Sequence, residues 1–457
     1  MARRDFLRGA LATGAILPFG VALSSCATAG GSSGNTGKTA GPTSAKNPFG
    51  LKKGSAIDAV IFNGGFGYDY VTFASKEVDK KWGTKSKVTP QTNIAQVLQP
   101  QFAAGTPPDL IDNSGANLIG FSKIKGDLST MDDLLDANNY EGKKISDTLA
   151  NAANIRKQGE VDGQFKVLNY AVYNYGWWYS ASLFKKHGWT PPKTYDEAFD
   201  LGAKAKAKGL YLLVFGKEAA TYYLTSMITT AAKDGGEEVI DALQNLKPKA
   251  WSHPALQTTF TKMKKMIDAG YFIPGGSGTQ FTAAQAKWSN DQKALLYPSG
   301  GWIESEMKKA TKSGFDMAVV PDPSASGSPK MPMSTIRSYA QEGYIQPSTS
   351  KNPAGGKELL RAMLSKDAAT HFSDTRMCPT IVKGLVPSDA FGHPGLASQV
   401  KMQEAAGDNV VYTTFINLYG LNTAQLVTMN GFLSGSLSVK QLTSQLQGIS
   451  DKAAANQ

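Results

Sequence analysis

Rings and amides gather where short apolar runs end. The stretch "VIFNGGFGYDY" closes on Asn63 and Phe66, and "PPDLIDNSG" closes on Asp112 and Asn113. The segment "YNYGWWYSASLFKKHGW", Tyr173 to Trp189, holds three of the chain's seven tryptophans. Aromatic faces pack on flat apolar surfaces, and Asn, Asp and Arg supply hydrogen bonds beside them. That combination suits the binding of a ring-shaped polar molecule. Core packing is the competing use for each single ring.

Bond-breaking chemistry finds less support. The four histidines, His187, His253, His371 and His393, are not paired at a metal-ligand spacing, and no cysteine cluster exists. They read as surface or packing residues. The glycines of "NGGFG" lack the order of a dinucleotide or phosphate loop and read as a tight turn. No nucleophile-elbow pattern appears. A distant carboxylate pair of the glycosidase kind is not excluded by spacing, but nothing points to one. No cofactor and no metal are implied.

The elements that must position these residues alternate. "AIDAVIFNGG" reads as a strand and glycine turn, "YVTFASKEVDKKWG" as an amphipathic helix stopped at Gly83, and Leu110-Ile111 as a short strand. Strand, helix, strand at this spacing predicts an α/β fold with a mainly parallel sheet. Ligands of such sheets sit beyond the carboxyl ends of the strands. A second unit begins in "YNYGWWYS". There "SASLFKKHG" reads as a helix closed by Gly188, and Thr194 with Glu197 as a capping box. "LYLLVFG" reads as the next strand. Read as one strand, Tyr173, Tyr175 and Trp177 share a face and Trp178 takes the other. On that reading Tyr175 and Trp177 face the ligand and Trp178 the core.

The first 25 residues carry Arg3, Arg4 and Arg8, then an apolar run ending at Leu23-Ser24-Ser25-Cys26. The run is short for a membrane span and is flanked like a signal peptide. The paired arginines resemble a twin-arginine export signal. Ala2 departs from it, so the general secretory route stays open. Small residues before Cys26 resemble a bacterial lipobox, which implies cleavage there and lipidation of Cys26. Residues 26–50, rich in Gly, Ser, Thr and Ala, read as a flexible tether. With Cys26 lipidated, the other cysteine, Cys378, has no intrachain partner. Net charge is +11. It reads as a solvated basic surface, without a nucleic-acid recognition motif.

Five stretches together resemble the extracellular solute-binding proteins (family 1) of ABC sugar importers. They are "FAAGTPPDLI", "WWYSASLFKKHGWTPPKTYDEAFDLGAKAKAKG", "KALLYPSGGWIESE", "FDMAVVPDP" and "KNPAGGKELLRAMLS". Among them the likeness is nearest to actinobacterial N-acetylglucosamine and diacetylchitobiose-binding lipoproteins, through "VIFNGGFGYDY", "PPDLIDNSGA", "LNYAVYNYGWWYSASLFKKHGW" and "KMPMSTIRSYAQEGYI". The resemblance implies a periplasmic-binding-protein-like (type II) α/β fold of two lobes with the sugar in the cleft between them. One lobe takes residues 51–170 and about 320–372, the other 171–319 and about 373–457. The chain is expected to cross between them near 166–174, near 319–323 and in 370–380.

The same resemblance places Asn63, Phe66, Asp112, Asn113, Trp302, Tyr419 and Asn422 in the cleft. It adds Tyr222 or Tyr223, in a loop after "LLVFG", and Arg337. The block "WWYS" has Tyr179-Ser180 where the family has Tyr-Asn, and no second tryptophan follows Trp302, which leaves the sugar open. The implied protein is no enzyme. It is a monomeric receptor, lipid-anchored on the outer face of the cytoplasmic membrane, that hands a mono- or oligosaccharide to permease subunits. A cell-surface glycan-binding protein or a glycosidase is the alternative.

Overall fold

In the computed structural model the described residues are 41–456. The export segment, Cys26 and most of the tether lie outside them. Among the described residues, no helix is long and apolar enough to cross a membrane.

Twelve strands form three sheets among the described residues. They are β1 (Ala56–Phe62), β2 (Lys85–Gln91), β3 (Leu110–Asp112), β4 (Glu160–Val161), β5 (Gln164–Phe165), β6 (Val167–Asn174), β7 (Gly176–Ser180), β8 (Tyr211–Leu213), β9 (Ala294–Ser299), β10 (Met317–Val320), β11 (Ile336–Ile345) and β12 (Val410–Val411). A six-stranded sheet runs β12-β11-β3-β1-β2, with β6 also paired to β11. A four-stranded sheet runs β10-β7-β9-β8, and β4 and β5 form a ribbon.

Strand β1 is parallel to β2 and β3, as the strand–helix–strand rhythm predicts. Long-range β11 runs antiparallel to β3 and β6, so the sheet is mixed. Period-two alternation sorts the side chains. Ala59, Ile61, Leu110 and Leu168 enter one core, and Val60, Ile111, Val167 and Ile345 enter the core on the opposite face.

Local signals set the helix ends. Helix Asp69–Trp82 stops at Gly83 in the left-handed conformation (φ 63°). Helix Ala181–His187 stops at Gly188 (φ 66°). At helix Tyr195–Lys206 the Thr194 hydroxyl accepts from the Glu197 amide at 3.1 Å. The Glu197 carboxylate reaches back to the amide of Lys193, one residue short of the reciprocal bond of a capping box.

The aromatic run is not one strand. β6 ends at Asn174 in the six-stranded sheet, and β7 starts at Gly176 in the four-stranded sheet. Tyr175 alone spans the break, its amide held by the Arg337 carbonyl at 2.9 Å. Gly176 allows the crossing, because a Cβ there would overlap the carbonyl oxygen of Val320. The chain returns between β10 and β11, over residues 321–335.

Candidate functional site

Where the two sheets meet, rings from four separate segments touch. Phe66 follows β1, Tyr173 lies near the end of β6, and Tyr175 just follows it. Trp302 follows β9, and Tyr222 comes from helix Ala220–Gly235. Trp302 is the hub. Its centroid lies 4.8 Å from Tyr173, 5.5 Å from Tyr175 and 5.3 Å from Tyr222. Phe66 meets Tyr173 edge-on at 5.7 Å. The loop after β1 comes close because Gly65 has no side chain. A Cβ there would stand 3.0 Å from Trp302 Cδ1 and 3.2 Å from its Cβ.

A second file of rings continues from Tyr175 through Tyr339 to Tyr412, each pair stacked at 6.0 Å. The Arg337 guanidinium lies 4.3 Å from the Tyr175 centroid and 4.8 Å from that of Tyr339. Its Nη2 donates to the Tyr339 hydroxyl at 2.5 Å, while its buried Nε has no partner in the structure. Gln341 donates to the Tyr175 hydroxyl. Beside this file lies a small cavity of about 30 Å³, lined among others by Gln158, Asn169, Tyr339, Gln341 and, from the C-terminal region, Thr414 and Asn417. Its walls offer amides and the rings of Phe121 and Tyr339, the kinds of group that hold a polar ring.

Phe66, Asp112, Tyr175, Tyr222, Trp302 and Arg337 therefore come together, Asp112 through Glu342 and Tyr173. Tyr222 does so from a helix rather than a loop, and Tyr223 is buried with its hydroxyl donating to the Val214 carbonyl at 2.6 Å. Asn63 is exposed on the loop after β1. Asn113 is buried, and its side chain accepts from the Ile119 amide at 2.8 Å and donates to the Ile119 carbonyl at 2.7 Å. It closes a loop rather than offering a free amide. Asn422 donates to Ala116 of that loop at 3.4 Å. Tyr419, on the neighbouring helix, packs at the edge of the core under the four-stranded sheet.

Trp177 is the correction. It is fully buried, packs on Tyr195 at 5.7 Å, and donates from its indole nitrogen to Ser226 at 2.8 Å. The break at Tyr175 restarts the alternation in another sheet, so Trp177 does not share the surface of Tyr175. Trp177 and Trp178 enter cores on opposite faces of the four-stranded sheet. The histidines pack or cap: His371 stacks on Phe73, His187 on Trp189, His393 contacts Asp374 at 3.0 Å, and His253 caps helix Pro254–Asp268.

Sequence reasoning missed Tyr339, Gln341 and Asn169. A signal existed for two of them, since Arg337, Tyr339 and Gln341 stand at alternate positions of one strand and share a face. It also missed Glu306. That carboxyl accepts from Gln285 at 2.7 Å, close to the loop at Gly65, and burial pushes it up to about 7. Because its folded-state value lies above the ordinary 4.5, the folded state binds the extra proton. Its contribution to stability is full below about pH 4.5, falls as pH rises, and levels off above about 7. Thermal melts across that window should show the wild type losing stability relative to Glu306→Gln. Parallel curves would refute the assignment.

The comparisons agree with one another. The model of the family "bacterial extracellular solute-binding protein" matches residues 54–370. The chain is 53% identical over 451 residues, 98% of this chain and 95% of the relative, to the diacetylchitobiose binding protein NgcE of Streptomyces coelicolor. A probable sugar-binding periplasmic protein of Mesorhizobium japonicum is 25% identical over 67% of this chain and 70% of its own length. Among solved structures, a chitin oligosaccharide binding protein superposes with a TM-score of 0.71 at 19% identity, covering 88% of this chain and 99% of that one.

Proposed function

Because this chain belongs to the bacterial extracellular solute-binding protein family, we propose that it captures an N-acetylglucosamine oligosaccharide, N,N'-diacetylchitobiose foremost, for an ABC importer. The fold is the two-lobed α/β type II arrangement of such proteins. The family consists of binding proteins, and an ABC importer supplies permease subunits as the receiving partner. The near-full-length identity to the Streptomyces protein supports the choice of sugar.

The observation that carries the reading is the ring group around Trp302. It joins Tyr173 of the six-stranded sheet to Trp302, just past β9 of the four-stranded sheet, and to Tyr222, whose ring meets Tyr297 of β9; a ligand held by both would bring these parts together. The lobes we propose are built on these two sheets, with the crossings at Tyr175, in 321–335 and in 377–393. The sugar lies between them, its apolar face on Trp302 or Tyr339. Its hydroxyls and acetamido groups are met by Arg337, Gln341 and Asp112. The N-acetylated sugar is neutral, so amides and hydroxyls matter more than net charge. Dissociation constants near a micromolar, roughly −8 kcal/mol, give capture with release.

Export, a lipid on Cys26 and a monomeric state complete the proposal. Two or more acyl chains anchor a protein stably, at about 0.8 kcal/mol per buried methylene.

Calorimetric titration with N-acetylglucosamine, diacetylchitobiose, maltose and xylobiose tests the specificity. Diacetylchitobiose should bind more tightly than maltose and xylobiose. Heat with maltose alone would overturn the choice of sugar. Turnover of a chromogenic glycoside would instead favour a glycosidase.

Gly65 tests the closure. Gly65→Leu sets a side chain against Trp302. The overlap should hold the loop off at a cost of about 1–3 kcal/mol, weakening sugar affinity by roughly tenfold or more. Small-angle scattering with saturating sugar should then show a larger radius of gyration than the wild type shows. Unchanged affinity would mean that the loop does not close on Trp302.

A further inference from the structure

Two carboxyl groups stand side by side at the end of β3, and among the described residues neither forms an ion pair with a cation. Asp112 is fully buried and Glu342 is 7% exposed. Asp112 pairs with Tyr344 across β3 and β11, which brings Glu342 to its side. The Ser114 hydroxyl donates to Asp112 Oδ1 at 2.5 Å, and the Tyr173 hydroxyl donates to Glu342 Oε1. The remaining oxygens, Asp112 Oδ2 and Glu342 Oε2, are buried with no donor. The Ser114 hydroxyl also accepts from the amide of Gly343, next to Glu342, at 2.9 Å, and each carboxyl acts on the other's proton affinity. Two ionised carboxylates, which only accept, have no hydrogen to share.

The backbone gives Glu342 a second mark. Its φ is +59°, left-handed in mid-strand. Gln341 and Gly343 pair with Ala171 and Asn169, and Glu342 is skipped. A glutamate keeps such a conformation only where its surroundings fix it, and such residues cluster at functional sites.

We propose that Glu342 is a positioning residue that shares one proton with Asp112, so that sugar capture at the site proposed above is linked to that proton. The deduction is electrostatic. Like charges in contact and out of water cannot both persist, so one group stays protonated. The groups facing the pair supply no compensating cation. They are Tyr70 from helix Asp69–Trp82, Ser114 from the loop after β3, Tyr173 from β6, Tyr344 from β11 and Cys378 beyond helix Lys366–Arg376. Burial holds the thiol and all three phenols well above their usual ranges, so they remain neutral donors. Burial and the neighbouring charge likewise hold Asp112 well above the carboxylate range, and burial raises Glu342.

The sign follows. With the proton in place, the pair carries one charge and Glu342 holds Asp112 and Tyr173 in position beside the ring group. Loss of the proton sets two buried charges together, which closing around a sugar makes worse. Capture should weaken as pH rises through the pair's titration, by about tenfold per pH unit for one linked proton.

The test combines two readouts on the purified protein. Infrared spectroscopy without sugar should show a protonated-carboxyl band at neutral pH, separate from that of Glu306, that Glu342→Gln and Asp112→Asn each remove. Calorimetry with diacetylchitobiose between about pH 5 and 9 should give a falling affinity for wild type and a flat profile for Glu342→Gln, whose amide keeps a donor but cannot ionise. Absence of the band in wild type, or the wild-type slope in Glu342→Gln, overturns the proposal. If no sugar binds at any pH, the sugar-site reading fails, and the infrared band still decides whether the proton is shared. If Glu342→Gln does not fold, Asp112→Asn carries the infrared test.

Discussion

Trp302→Ala should lower diacetylchitobiose affinity by about two orders of magnitude. The side chain stands just past β9 of the four-stranded sheet, touches Tyr173 of the six-stranded sheet, Tyr175 and Tyr222, and lies against Gly65. It is 8% exposed, close enough to the surface to meet a ligand and buried enough to be dry. Removing a desolvated aromatic anchor of this kind costs about 2–4 kcal/mol in binding. Trp302→Phe keeps a ring and should recover part of the loss. Calorimetry on both variants checks this, with circular dichroism to confirm that each is folded. Wild-type affinity in folded Trp302→Ala would remove Trp302 from the site.

Trp177→Ala should act on stability instead. Its indole is fully buried under the four-stranded sheet, against Tyr195. It also donates to Ser226, whose hydroxyl in turn donates to buried Asp322. Truncating a buried tryptophan costs about 3–5 kcal/mol. It also leaves Ser226 without its donor, at about 1 kcal/mol or more. Thermal melts should show a large drop, and the folded fraction should bind sugar with near wild-type affinity. Trp178→Ala should behave alike, since its indole is buried on the other face and donates to the Ser299 carbonyl at 3.2 Å. A folded, stable Trp177→Ala protein that had lost sugar binding would reverse this assignment.

The two tryptophans show what sequence carries and what it leaves out. Strands, helices and their stops were legible because period, caps and glycine turns are local, as at β1, Gly83 and Gly188. The alternation rule was also sound within β6 and within β7. It failed at Tyr175, where the chain changes sheets in one residue. That break is fixed by the Arg337 carbonyl and by Val320, more than 140 residues away, and no local pattern announces it. Asn113 failed for another reason. Its place after β3 was right, but its amide is consumed by the backbone of its own loop. Glu306 and Glu342 went unnoticed because a carboxyl's burial depends on elements distant in sequence. Trp302 and Arg337 were legible through family resemblance and Tyr175 through strand alternation, and the structure brings the three within one group.

The central claim is that one neutral amino-sugar oligosaccharide is held between the two sheets on this group of rings. The most direct measurement is a crystal structure of the protein grown with diacetylchitobiose. The account predicts a sugar ring against Trp302 or Tyr339, with Arg337 or Gln341 bonded to its oxygens. A disaccharide bound elsewhere, with Trp302 and Tyr339 untouched, would contradict it.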